Sequence, residues 1–110
     1  MTKCDFCFVY VTVENFEQAE LIAELAIKDK LIACANIFPE SHSMFEWKGE
    51  VKLEKETVLL LKTLVNKYDS LEKLIIENHV YETPCILKID VSKGHKDFLK
   101  WVETSVNLSK

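Results

Sequence analysis

From Phe6 to Val13 the chain runs Phe-Cys-Phe-Val-Tyr-Val-Thr-Val, with aromatic and β-branched side chains at almost every position. That pattern predicts a central strand covered on both faces. Asn15 followed by Gln18 has the spacing of a capping box, and Ala19, Ile22, Ala23, Ala26 and Ile27 then recur at helical intervals, predicting a first helix to about Lys30. Ile32 to Phe38 reads as a second apolar strand halted by Pro39, and Ser43 to Trp47 resumes extended character before a turn at Lys48-Gly49-Glu50. A third strand spans Val51 to Leu64. Leu53, Thr57, Leu59 and Leu61 fall on one of its faces, and Lys52, Glu54, Glu56, Val58, Leu60 and Lys62 on the other. It far exceeds the usual strand of ~5–6 residues, so part of it is expected to project past the sheet.

Tyr68, Leu71, Leu74, Ile75 and Asn78 fall at helical spacing, and Cys85, Leu87, Ile89 and Val91 alternate with Ile86, Lys88 and Asp90 as a fourth strand. Phe98, Leu99, Val102 and Val106 mark a C-terminal helix with Trp101 beside its apolar stripe. The order β-α-β-β-α-β-α, with right-handed crossovers, gives an α+β ferredoxin-like sandwich: a four-stranded antiparallel sheet, a long hairpin between the second and third strands, and one additional C-terminal helix. Two helices cover only one face of such a sheet. The two-sided apolarity of the first strand therefore predicts self-association.

Composition narrows the function. The 110 residues, 48% apolar and 29% charged, fit a single domain over residues 1–110. Fourteen lysines stand against eighteen acidic residues, for a net charge of −4, and there is no arginine. Guanine readout, arginine-clamped phosphates and arginine fingers are thereby disfavoured, and nucleic acid is not an expected partner. Two glycines, Gly49 and Gly94, cannot build a dinucleotide turn or a P-loop. The apolar run Val58 to Leu61 ends at Lys62, and no apolar run in the chain approaches the roughly 20 residues needed to cross a membrane. Met1 to Asp5 shows no readable secretory signal, so a cytoplasmic protein is expected.

Candidate chemistry is sparse. Cys4 and Cys7 form a C-x-x-C, but residues three apart on a strand face opposite sides and cannot share an ion, so Cys4, Cys7, Cys34 and Cys85 read as free thiols. His79 closes the second helix and leads into Val80-Tyr81-Glu82-Thr83-Pro84. It reads either as a capping or loop-packing histidine or as a metal ligand. Glu56 and Lys62 read either as an exposed stripe on a sheet edge or as walls of an intersubunit cleft. No spacing of Ser, His and Asp suggests a triad, and no enzymatic role is expected.

Lys30 to Ile37, Pro39 with Ser43 to Val51, Glu56, Leu61 to Thr63, His79 to Pro84 and Trp101, taken together in this order, resemble the CutA family of divalent-cation tolerance proteins over nearly the whole chain. Lys30-Leu31-Ile32-Ala33-Cys34-Ala35-Asn36-Ile37 is similar to the family's K-L-x-A-C-x-N-I. Pro39 with Ser43-Met44-Phe45-Glu46-Trp47-Lys48-Gly49-Glu50-Val51 is similar to its P…S-x-Y-x-W-x-G-x-[VI], and Glu56 and Leu61-Lys62-Thr63 follow at the family's spacing. His79 to Pro84 resembles H-P-Y-E-x-P, and Trp101 matches a tryptophan near the end.

The resemblance implies a homotrimer whose hairpin around Trp47 and Gly49 reaches into a neighbour. It also implies a role in tolerance of divalent ions, with copper or zinc at intersubunit clefts. Carried onto this chain, the metal residues are His79, Glu56 and Glu82, and the cleft residues are Trp47, Lys62, Tyr81 and Cys85. The family's ligand cysteine aligns with Val11 and the first histidine of a His-His pair with Asn78, so one soft and one imidazole ligand are lost. A hard cation held by Glu56 and Glu82 is the remaining metal reading, and Cys85 reads as a soft ligand or a core thiol. The alternative is a signalling module, like the trimeric P-II regulators, that binds a small metabolite or a protein partner through the same clefts.

Overall fold

A computed structural model of the chain describes residues 5–107. Strand β1 (Phe6–Val13) lies in the middle of a four-stranded antiparallel sheet of order β2-β3-β1-β4, with β2 (Cys34–Trp47), β3 (Glu50–Leu64) and β4 (Ile86–Val91). The helices are α1 (Phe16–Lys28), α2 (Tyr68–Asn78) and α3 (Lys96–Asn107), and a short 3₁₀ turn covers Val65–Lys67. This is the expected ferredoxin-like sandwich with one added helix.

The pleat sorts β1. Cys7, Val9, Val11 and Val13 are buried and join Leu59 and Leu61 of β3 against Ala19, Ile22 and Ala26 of α1 and Leu71, Leu74 and Ile75 of α2. Asn15 caps α1, its side-chain oxygen accepting the Gln18 N–H at 2.9 Å, while Gln18 reaches back to accept the Glu14 N–H at 3.3 Å. At the other end Lys30 takes a left-handed φ of 60°, and the Leu31 N–H donates to the Ala26 carbonyl at 2.9 Å, closing the helix where glycine is the usual residue. Thr63 is buried and donates to the Leu31 carbonyl at 2.6 Å, tying this connection to β3.

The opposite face of the sheet is only partly covered. Val102 and Val106 of α3 pack with Leu64, Phe6 and Ala33 at one end. Leu87 and Ile89 of β4 align with Tyr10 and Phe8 of β1, so the apolar stripe of β4 points to this face, and Leu87 is 55% exposed. Phe38 of β2, aligned with Val58, is 50% exposed. Among the described residues no helix is long and apolar enough to cross a membrane.

Two sequence expectations change. Pro39 does not halt β2. The strand runs on with a register irregularity between Phe38 and Ser41, where the Thr57 hydroxyl donates to the Pro39 carbonyl at 3.0 Å; β2 is an edge strand, where a residue without an N–H is tolerated. Lys62 does not lie on a sheet edge either, because there β3 is paired to both β2 and β1, whereas Glu56 lies just past the end of β1 and is paired to β2 alone. The projection of β3 is as expected. β1 pairs with it only from Thr57 to Leu64, leaving Glu50 to Glu56 paired to β2 alone. Lys48 and Gly49 link the two strands with φ values of 53° and 83°, the signature of a two-residue type I′ turn whose twist matches the hairpin.

Leu71 is fully buried between α2 and the sheet. Leu71→Ala is expected to destabilise the fold by about 2–5 kcal/mol, through lost burial and the cavity left behind. The urea midpoint at fixed protein concentration is the measurement.

Candidate functional site

Where the hairpin outruns β1, its β3 edge is left without a neighbouring strand. The register pairs Ser43 with Glu54, Phe45 with Lys52 and Trp47 with Glu50, so these side chains share a face with Glu56. The loop between α2 and β4 supplies a facing wall through Tyr81, Glu82, Thr83 and Cys85. Together with Thr12 the two segments enclose a groove of about 800 Å³.

Glu56 is the fixed point of this groove. The Ser43 hydroxyl donates to one of its carboxylate oxygens at 2.6 Å, and the Tyr81 hydroxyl donates to the other at 2.8 Å. Burial, followed by the hydrogen bond to Glu56 and the charges of Glu56, Glu14 and Glu54, drives the Tyr81 phenol well above its ordinary value of 10. The Tyr81 backbone N–H donates to His79 Nδ1 at 3.1 Å, so the ring carries its proton on Nε2, which donates to the Thr12 carbonyl at 2.8 Å. The His79 and Tyr81 rings meet with centroids 4.7 Å apart. A single run of hydrogen bonds therefore joins the end of β1, the α2–β4 loop and both strands of the hairpin.

The sequence-derived residues divide. Glu56, Glu82, Trp47, Tyr81 and Cys85 line one groove. His79 stands behind Tyr81 and holds the loop, so its loop-packing reading describes its geometry. Lys62 does not join them. It lies six residues from Glu56, about 20 Å along β3, with its ammonium 5.7 Å from the centre of the Phe98 ring of α3. Cys85 faces the groove rather than the core, whereas Cys7 is a core thiol that burial pushes up to about 11. Cys4, the other half of the C-x-x-C, lies outside the described residues. Sequence reasoning missed Thr12, Ser43, Phe45, Lys52 and Glu54. The signal for the hairpin set was the two-residue turn, since pairing Trp47 with Glu50 dictates every pair behind it.

A copper or zinc ion shared by His79, Glu56 and Glu82 of one chain does not fit this arrangement. Both His79 nitrogens are engaged by backbone groups, which removes the one imidazole from the set. Among the described residues no three His, Cys, Asp or Glu side chains converge as a metal would require. Val11 is buried on the helix-covered side of the sheet, and the Asn78 amide donates to the Leu74 carbonyl at 2.8 Å.

Comparison with known proteins gives a consistent result. The family described as CutA1 divalent ion tolerance protein matches residues 7–105. The divalent-cation tolerance protein CutA of Archaeoglobus fulgidus is 37% identical over 99 residues, 90% of this chain and 96% of its own length. The chloroplastic CutA protein of Arabidopsis thaliana is 34% identical over 97 residues, 88% of this chain and 53% of its own length. Among solved structures, CutA1 of Ehrlichia chaffeensis superposes with a TM-score of 0.91 at 31% identity, covering 97% of this chain and all of its own. A CutA structure from Archaeoglobus fulgidus, described as periplasmic, superposes with a TM-score of 0.89 at 35% identity, covering 93% and 99%. The expected cytoplasmic location is overturned by these relatives, which include periplasmic and chloroplastic proteins.

The half-buried phenols of Tyr68 and Tyr81 carry a pH dependence. Tyr68 is pushed up to about 12 by burial and by the hydrogen bond and charge of Glu72, and Tyr81 is raised further. In the unfolded chain a phenol loses its proton near 10, so the folded state holds these protons more tightly. Their contribution is complete below pH 10 and is lost as pH rises through about 12. Urea midpoints are expected to fall across that window, and Tyr81→Phe is expected to shallow the fall. At neutral pH the same change is expected to cost about 1–3 kcal/mol, because a partly buried carboxylate loses a donor.

Proposed function

This chain belongs to the CutA1 divalent ion tolerance family, and on that premise we propose that it serves cation tolerance as a homotrimer with a binding rather than a catalytic role. The observation that carries the proposal is the uncovered row of Leu87, Ile89 and Phe38 beside the sheet's own Tyr10 and Leu60. An apolar row on a sheet face is a stable arrangement when a second surface covers it. The projecting hairpin offers such a surface, with Met44, Val51 and Leu53 exposed on the side away from the groove. Tolerance is then a property of the assembly and of what its clefts bind, not of a copper or zinc centre built by one chain.

A second reading, a signalling module that binds a small metabolite, is favoured by the groove itself. Its volume of about 800 Å³ suits an organic ligand, and its walls are already held in place by the Glu56 hydrogen bonds.

Native mass spectrometry tests the assembly. The expected mass is that of three chains, and Leu87→Lys with Ile89→Lys is expected to yield monomers that keep the far-ultraviolet circular dichroism of the parent. A parent protein that flies as a monomer overturns the trimer.

A further inference from the structure

We propose that the groove between the β2–β3 hairpin and the α2–β4 loop binds an alkyl polyamine, with its separate ammonium groups distributed over Glu54, Glu56 and Glu82 and the alkyl stem against Phe45 and Trp47. The proposal rests on the reading of the groove as a small-ligand site and names the ligand's chemistry.

Three observations point the same way. The first is charge. Three carboxylates and one lysine, Lys52, line the groove, and the Lys52 ammonium already lies 3.5 Å from Glu50. An anionic ligand would meet a net negative wall with no guanidinium to fork onto it. The second is shape. A bare metal ion needs several donors converging within about 2–2.6 Å, whereas these carboxylates are spread along a groove of about 800 Å³ and do not converge. An elongated cation with more than one charged nitrogen suits dispersed carboxylates.

The third observation is the chemistry of the lining. Glu56 accepts one hydroxyl on each oxygen, from Ser43 and Tyr81, which fixes its plane and leaves each oxygen able to accept again. An ammonium supplies donors and no acceptors, so it complements an acceptor-only carboxylate without displacing either hydroxyl. Phe45 and Trp47 give the groove aromatic surface on which methylene stems pack, while the chain's own Lys48 ammonium stands 5.9 Å from the centre of the Trp47 ring, so the ligand's nitrogens are left to the carboxylates.

Isothermal titration calorimetry of the assembled protein tests this, with three probes: spermidine, its neutral triacetyl derivative, and citrate. The variant is Glu54→Gln with Glu82→Gln, both exposed positions whose replacement leaves the core untouched. Saturable binding of spermidine, weakened at least tenfold in the variant and absent for the triacetyl derivative, is the expected result. Equal spermidine affinity in parent and variant overturns the proposal, as does equal binding of the triacetyl derivative. If citrate or the triacetyl derivative binds in place of spermidine and Phe45→Ala abolishes that binding, the groove stands as a ligand site and the polyamine falls. If none of the three probes binds, both fall.

Discussion

Everything in this fold depends on β1 being apolar on both faces while pairing along both edges. Its backbone is satisfied by β3 on one side and β4 on the other. One row of its side chains, Cys7 to Val13, is buried under α1 and α2. The alternate row, Phe6, Phe8 and Tyr10, is only half-buried: α3 packs against Phe6 and its Phe98 lines a pocket with Phe8, and the cover does not match that of the first row. A strand of polar and apolar alternation would have ended the fold at two layers. This one leaves a half-exposed apolar row on which a third layer can pack.

The groove follows from a mismatch of lengths. β1 ends at Val13 opposite Thr57, while β2 and β3 continue to the turn at Lys48 and Gly49. Beyond Thr57 the hairpin has lost its neighbour, and its side chains meet a loop instead of a strand. The loop could have lain anywhere along that opening. The hydrogen bonds from Thr12 through His79 and Tyr81 to Glu56 and Ser43 set its place. Glu56, the first β3 residue past the end of β1, is therefore where the sheet stops being scaffold and becomes wall.

Much of this was legible in the sequence. The element order, the continuous apolarity of β1 and the excess length of β3 each have a local cause, so periodicity reports them. The same holds for the start of α1, which follows from Asn15 and Gln18. Other features have non-local causes. Pro39 reads as a stop because proline cannot donate to a ladder, and only the topology reveals that β2 is an edge, where that loss is harmless. Lys62 and Glu56 share a strand face and so read as one cleft, but they stand six residues apart along β3, and Lys62 lies against Phe98 of α3 instead. His79 reads as a ligand from its residue type, yet both its nitrogens are taken by carbonyl and amide groups distant or hidden in the sequence. Tyr81, Trp47 and Cys85 came from family resemblance, and the residues facing them across the groove came only from the hairpin register.

The irregularity at Pro39 also bears on how copies of this chain can add to one another. β2 is an outer strand of fourteen residues, long enough to template a further strand and to continue into a fibre. Between Phe38 and Ser41 its ladder is out of step, and at Pro39 it has no N–H to offer. The free edge is thus broken into two short stretches that do not share a register. Strand-by-strand growth meets a fault after a few residues, and the other outer strand, β4, is only six residues long with Lys88 and Asp90 upon it. A sheet with such edges favours association that closes on itself over one that propagates, so the break in β2 acts as a guard against fibrils in a protein that must still leave part of its apolar surface open.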